Sequence, residues 1–191
     1  YDGKIATEVD DKNRTHPIKK FEGKSIVWID TSMMNGKDED RLKGGSFCNY
    51  IENTIIKKLL ECFKNENVIK DLDIGIITGY RGQKELIRKS VSNGGYDKIS
   101  KKIDINTLDA FQGRENDIII YSTVRTKNSI GFQKEKERVN VAFSRAKDLL
   151  IICGDMDFFY KFDDPDNKFV EIIDYIHEHE DECLIISGGE L

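Results

Sequence analysis

Proline is nearly absent, with two in 191 residues, so no proline-rich linker, collagen-like repeat or mucin-like stalk is present. Long apolar runs are missing as well. The longest, Ile118 to Tyr121 and Leu149 to Cys153, fall far short of the ~20 residues a membrane helix needs. Tyr1 to Asp11 carry no basic start followed by an apolar stretch, so no signal peptide is expected. Cysteine is sparse: Cys48, Cys62, Cys153 and Cys183 are far apart and form no C-x-x-C pair. Isolated thiols among core-type residues read as buried side chains, so neither a zinc site nor a disulfide is expected. That reading places the chain in a reducing, intracellular compartment, cytoplasmic or, in a eukaryote, nuclear. No membrane partner is expected.

What is there is a balance of 38% hydrophobic and 34% charged residues. A packed core under a charged surface fits this, and general disorder does not. Net charge is -5, with acidic residues gathered late, in Asp155 to Asp166 and Glu171 to Glu182. The middle is locally basic, at Tyr80 to Lys84, Arg88-Lys89, Lys98 to Lys102 and Arg125 to Lys127. Phosphate binding depends on where cations lie, so composition neither supports nor excludes a nucleic-acid partner.

Short apolar segments alternate with helical periodicity. Strands are expected at Ser25 to Asp30, Leu72 to Ile77, Lys102 to Leu108, Asp117 to Val124 and Leu149 to Gly154, with an edge strand at Cys183 to Ile186. Met33 to Gly45 reads as a loop. Ser46 is the expected cap of a helix whose apolar face is Ile51, Ile55, Ile56, Leu59, Leu60 and Phe63. Further helices are expected from Gln83 to about Ser92, ended by Gly94-Gly95, from Arg138 to Ala146, and around Phe169 to Ile176. Nearly all-apolar strands separated by helices imply a parallel sheet covered on both faces, an α/β fold in three α/β/α layers. Ligands of such sheets gather at the carboxyl ends of strands.

Three stretches could carry chemistry. Ile74-Gly-Ile-Ile-Thr-Gly-Tyr-Arg-Gly-Gln83 offers a hydroxyl, glycines and an arginine at a strand-to-helix turn. Asn106-Thr-Leu-Asp-Ala-Phe-Gln-Gly-Arg-Glu115 sets Gln112 and Glu115 about Gly113, where a carboxylate could accept hydrogen bonds from a ribose. Glu137-Arg-Val-Asn-Val-Ala-Phe-Ser-Arg-Ala-Lys147 places Arg138 and Arg145 seven apart, nearly on one helical face, with Val139, Ala142, Phe143 and Ala146 buried beneath. Arginines on a packed helix make good phosphate clamps. By spacing alone, each stretch is also compatible with an ordinary turn or a surface ion pair.

Taken together and in order, these strings resemble motifs V and VI of superfamily 1 helicases. The branch is that of the nonsense-mediated-decay RNA helicase and the Okazaki-fragment helicase-nuclease. The resemblance rests on Thr107-Leu-Asp-Ala-Phe-Gln-Gly-Arg-Glu-Asn-Asp-Ile-Ile-Ile120, then Gly131-Phe, then Arg138-Val-Asn-Val-Ala-Phe-Ser-Arg-Ala-Lys147. Gly75-Ile-Ile-Thr-Gly-Tyr-Arg-Gly-Gln83 resembles the branch's G-I-I-T-P-Y-x-x-Q segment, and Ser46-x-x-Asn49-x-x-Glu52 its helix start.

The resemblance implies a second RecA-like domain: a leading segment over 1–24, the motif-bearing domain over 25–154, and an acidic helix and strand over 155–191 that close it. It implies that Arg145 is an arginine finger reaching the γ-phosphate of ATP. Gln112, Gly113, Glu115 and Arg138 would then face the nucleotide. Thr78, Tyr80, Arg81, Asn106, Thr107 and Arg125 would lie along single-stranded DNA or RNA, without reading bases. ATP and Mg²⁺ would be held mainly by an N-terminal helicase domain of the same parent chain. No G-x-x-x-x-G-K-[ST] loop and no strand ending in Asp-Glu occurs in these residues, so this chain alone is not expected to hydrolyse ATP. Gly79 stands where the branch has proline, and Glu137 where arginine is frequent. The alternative is a non-catalytic RecA-like scaffold or nucleic-acid-binding module. A nuclease would need clustered acidic metal ligands, and the scattered carboxylates show none.

Overall fold

The computed structural model describes residues 15–100, 102–111 and 115–191. Its elements run β1 (Ile26–Asp30), β2 (Asp40–Arg41), β3 (Phe47–Cys48), α1 (Tyr50–Asn65), β4 (Asp73–Thr78), α2 (Arg81–Asn93) and α3 (Tyr96–Ile99), followed by β5 (Lys102–Thr107) and β6 (Asn116–Ser122). Then come α4 (Lys136–Phe143), β7 (Ala146–Gly154), α5 (Met156–Lys161), α6 (Phe169–Glu178) and β8 (Cys183–Ser187). Six strands form one sheet in the order β5-β4-β6-β7-β1-β8, and every pairing in it is parallel. The pair β2 and β3 makes a small antiparallel ribbon beside it.

Strand residues alternate between two apolar layers, as a pleated strand buried on both faces must. Val27, Ile29, Ile74, Ile76, Ile118, Ile120, Leu149 and Ile151 face a layer completed by Ile55, Ile56, Leu59, Leu60 and Phe63 of α1 and by Ile87 and Val91 of α2. Trp28, Ile119, Tyr121, Leu150 and Ile152 face the other layer, built with Val139 and Ala142 of α4, Phe159 of α5, and Phe169, Ile173 and Ile176 of α6. Each fully buried side chain of this size contributes about 1.5–3 kcal/mol. The expected three-layer α/β/α architecture is therefore what forms.

One crossover has no α-helix among its described residues. Between β5 and β6 the chain returns across the sheet with Leu108 and Phe111 inserted into the second layer. Gly75 in β4 makes room for it: a Cβ there would lie 2.5 Å from Ile119 Cδ1 and 2.6 Å from Phe111 Cζ.

Several local expectations are corrected. The cap of α1 is Asn49, whose side chain accepts from Glu52 N, while Ser46 Oγ accepts from Gly82 N at 2.9 Å. Strand β6 stops at Ser122 because Val124 takes a left-handed conformation at φ 70°. Helix α4 ends at Phe143, so Ala146 opens β7 and does not extend a helix. Residues within the expected 33–45 loop supply β2. The cysteines are free, and Cys48, Cys153 and Cys183 are buried. Among the described residues no helix is long and apolar enough to cross a membrane.

Candidate functional site

Polar groups concentrate at the carboxyl edge of the sheet, just past β4 and β6. Glu52, in the first turn of α1, has no solvent access and accepts from Val124 N at 2.9 and 3.0 Å, from Thr123 Oγ1 at 3.1 Å and from Ser122 Oγ. Burial pushes its carboxyl up to about 8, against the opposing pull of those hydrogen bonds. Gln83 ties the cluster to both helices: its Oε1 accepts from Asn49 N at 2.8 Å, and its Nε2 donates to Ser122 Oγ at 2.9 Å. Asn49 Nδ2 donates to Lys37 O at 2.7 Å and Val124 O at 3.3 Å.

The next residues are pinned in turn. Arg125 pairs with Glu39 at 3.1 Å, lies 4.3 Å over the Phe47 ring and donates to Lys127 O at 2.9 Å. Thr126 N donates to Glu39 Oε2 at 3.0 Å. Tyr80 is wedged between Phe47 and Phe132, with ring centroids 5.7 and 5.3 Å away. Burial raises its phenol and the nearby Arg125 opposes the rise. Gly131, at φ 62°, leaves the space the Tyr80 hydroxyl occupies.

The opposite, amino edge carries Arg145. It follows the C-cap Ser144 of α4 and precedes β7, and its carbonyl accepts from Asn116 N at 3.0 Å where β6 begins. Among the described residues, Arg145 Nε and both amide atoms of Asn116 are buried without hydrogen-bond partners, an arrangement that costs free energy unless a further group arrives. Glu115, next to Asn116, is exposed.

The structure thus splits the residues singled out by sequence. Thr107 and Asn106 are half-buried at the end of β5, and Arg81 is exposed at the start of α2, all at the carboxyl edge. Thr78, Tyr80 and Arg125 are 0%, 4% and 7% exposed, and their side chains brace that edge from within. Arg138 stands in the first turn of α4 and pairs with Glu135 at 2.7 Å and Asp109 at 3.2 Å. Because α4 ends at Phe143, Arg138 and Arg145 do not share a helical face; the helix runs from one edge of the sheet toward the other and sets them apart. Glu115 and Arg145 both precede strands, so they stand at the amino edge of the sheet. Gln112 and Gly113 lie outside the described residues. Among the described residues no three His, Cys, Asp or Glu side chains gather as a metal would require.

Comparison with known proteins decides the family. A family model described as an AAA domain matches residues 1–157. The chain belongs to this AAA-domain family, in a superfamily 1 helicase branch. It is 38% identical over 123 residues to the ATP-dependent helicase upf1 of Schizosaccharomyces pombe, covering 62% of this chain and 13% of that protein. It is 35% identical over 163 residues to the ATP-dependent helicase NAM7 of Saccharomyces cerevisiae, covering 81% of this chain and 16% of that one. Helicase SEN1 of the same yeast is 38% identical over 128 residues, 64% of this chain and 6% of its own length. The chain therefore spans less than a fifth of the length of these relatives. Among solved structures, the C-terminal domain of a possible DNA helicase from Lactobacillus plantarum superposes at a TM-score of 0.42 with 14% identity, over 73% of this chain and 79% of that one.

For this AAA-domain chain, sequence reading passed over three residues that organise the carboxyl edge. Asn49, Glu52 and Gln83 all stood in the strings that carried the resemblance, yet drew no role. The available signal was chemical: a carboxylate and an amide on the apolar side of α1, at positions that must turn inward with Ile55 and Ile56.

Proposed function

We propose that this chain is the second motor domain of an ATP-dependent helicase, contributing an arginine finger to a nucleotide held mainly by another domain of the parent protein. The observation that carries the reading is the polar cluster at the amino edge, where Arg145 Nε and the Asn116 amide are buried without partners among the described residues, beside exposed Glu115. A γ-phosphate delivered there would satisfy an always-charged guanidinium whose backbone is already fixed to β6. The residues fit half a nucleotide site and no more. With no carboxylate cluster among the described residues, Mg²⁺ would be held on the first domain. Glu115 remains the described residue here nearest in role to the nucleotide, and Gln112 and Gly113 complete the proposed set; Arg138, at the other end of α4 and paired with Glu135 and Asp109, lies apart from it. Thr107, Asn106 and Arg81 at the opposite edge would hold phosphates of a single DNA or RNA strand.

The test is nucleic-acid-stimulated ATP turnover by the full-length parent, beside this chain alone and an Arg145→Ala parent. The parent turns over ATP, this chain does not, and Arg145→Ala lowers turnover by about 10³-fold, the usual weight of such a finger, with ATP binding retained. Near-normal turnover in Arg145→Ala would remove the finger assignment. A parent inert with every nucleic acid would favour the scaffold reading.

A further inference from the structure

Val124 is an improbable residue to find at φ 70°. A β-branched side chain is strained there, and such strain persists only where the surroundings over-determine it. Here they do so from both sides of the residue. Its N–H donates to both carboxyl oxygens of Glu52, at 2.9 and 3.0 Å, and its carbonyl accepts from Asn49 Nδ2 at 3.3 Å. Both partners are fully buried in or beside the first turn of α1, and Gln83 fixes Asn49 in turn. Immediately beyond, Arg125 and Thr126 are held by Glu39, and the chain then emerges at Lys127 and Asn128, both exposed, and half-buried Ser129. The tip keeps its own form: Asn128 has φ 62°, Ser129 N donates to Lys127 O at 2.7 Å, and Gly131 N donates to Ser129 Oγ at 3.1 Å. An ammonium, an amide and a hydroxyl in a row are groups that hold phosphates without reading bases.

We propose that Asn49 and Glu52 are positioning residues that clamp Val124 in its left-handed conformation and so present Lys127, Asn128 and Ser129 to the phosphates of a single strand at the carboxyl edge. The proposal rests on the strand-track reading above and adds to it the contact element and the device that aims it. Lys127 now pairs with Asp38 at 3.1 Å, an exposed pair that a phosphate can displace at little cost.

The experiment is anisotropy titration of this chain with fluorescein-labelled oligothymidylate and oligouridylate over a range of salt. The wild type binds weakly, with affinity falling steeply as salt rises. Lys127→Ala weakens binding and lowers the salt slope by about one. Glu52→Ala lowers the slope by the same amount although it removes no cation, and Val124→Gly in that background restores it, because glycine adopts positive φ without a clamp. A bare loss of stability would produce neither the slope change nor the rescue. Asn49→Asp keeps the helix cap but deletes the donor to Val124 O, and gives the same signature should Glu52→Ala fail to fold. An unchanged slope in a folded clamp variant, or no rescue by Val124→Gly, overturns the clamp while leaving the strand track standing. No binding by the wild type at any salt overturns both.

Discussion

A carboxyl group without access to water must settle its charge against its surroundings, and Glu52 settles it by holding a proton. Burial is the dominant influence lifting it from 4.5 to about 8; hydrogen bonds from Ser122, Val124 and Thr123 restrain the rise, and Asp155 adds a little to it. Between those two values the folded chain holds a proton that the unfolded chain releases. The contribution is therefore fully present below pH 4.5 and is lost as pH rises through about 8. Melting temperature should fall across this window. In Glu52→Gln, which has nothing to ionise, the fall should flatten. A Glu52→Gln melting profile as steep as the wild type's would assign the pH dependence elsewhere. The cluster is also consistent in direction: Ser122 Oγ donates to Glu52 Oε2 while it accepts from Gln83 Nε2.

At the scale of elements, the sequence made legible whatever apolar periodicity controls. The strands carrying Val27, Ile76, Ile119 and Ile151, and the apolar face of α1, stand where their patterns put them. What it hid was decided by polar contacts between distant segments. Asn49 capped α1 where Ser46 was expected, because Ser46 is engaged by Gly82. Helix α4 stopped short of Arg145, whose carbonyl the start of β6 had claimed. Burial of Tyr80 and Arg125 depended on Glu39, from a segment read as loop, and on Phe47, read as the start of a helix. The crossover over β4 gives a test of element packing. Gly75→Ala drives a methyl into Ile119 and Phe111, and overpacking of this kind costs about 1–3 kcal/mol. At this chain size that lowers the melting temperature by roughly 2–4 °C per kcal/mol. No change in a thermal melt would mean that the Phe111 crossover yields freely.

At the scale of the molecule, the acidic final segment belongs to the sheet. β8 pairs along the whole of β1, and Phe169 of α6 lies against Trp28 and Tyr121, with centroids 6.0 and 6.5 Å apart. A chain cut after residue 157, where the family match ends, would uncover Trp28 and leave β1 as a raw edge. Expression of that truncation should give aggregated protein or none with a cooperative melt. A soluble, cooperatively melting product would show the segment to be dispensable. The double-sided burial of the central strands has a further consequence. Ile118 and Ile120 serve one apolar layer while Ile119 and Tyr121 serve the other, so the two layers share a single wall. Neither can melt and leave its neighbour intact, and a disturbance that loosens one side of the sheet is felt at once on the far side, as pressure on one face of a drumhead moves the other.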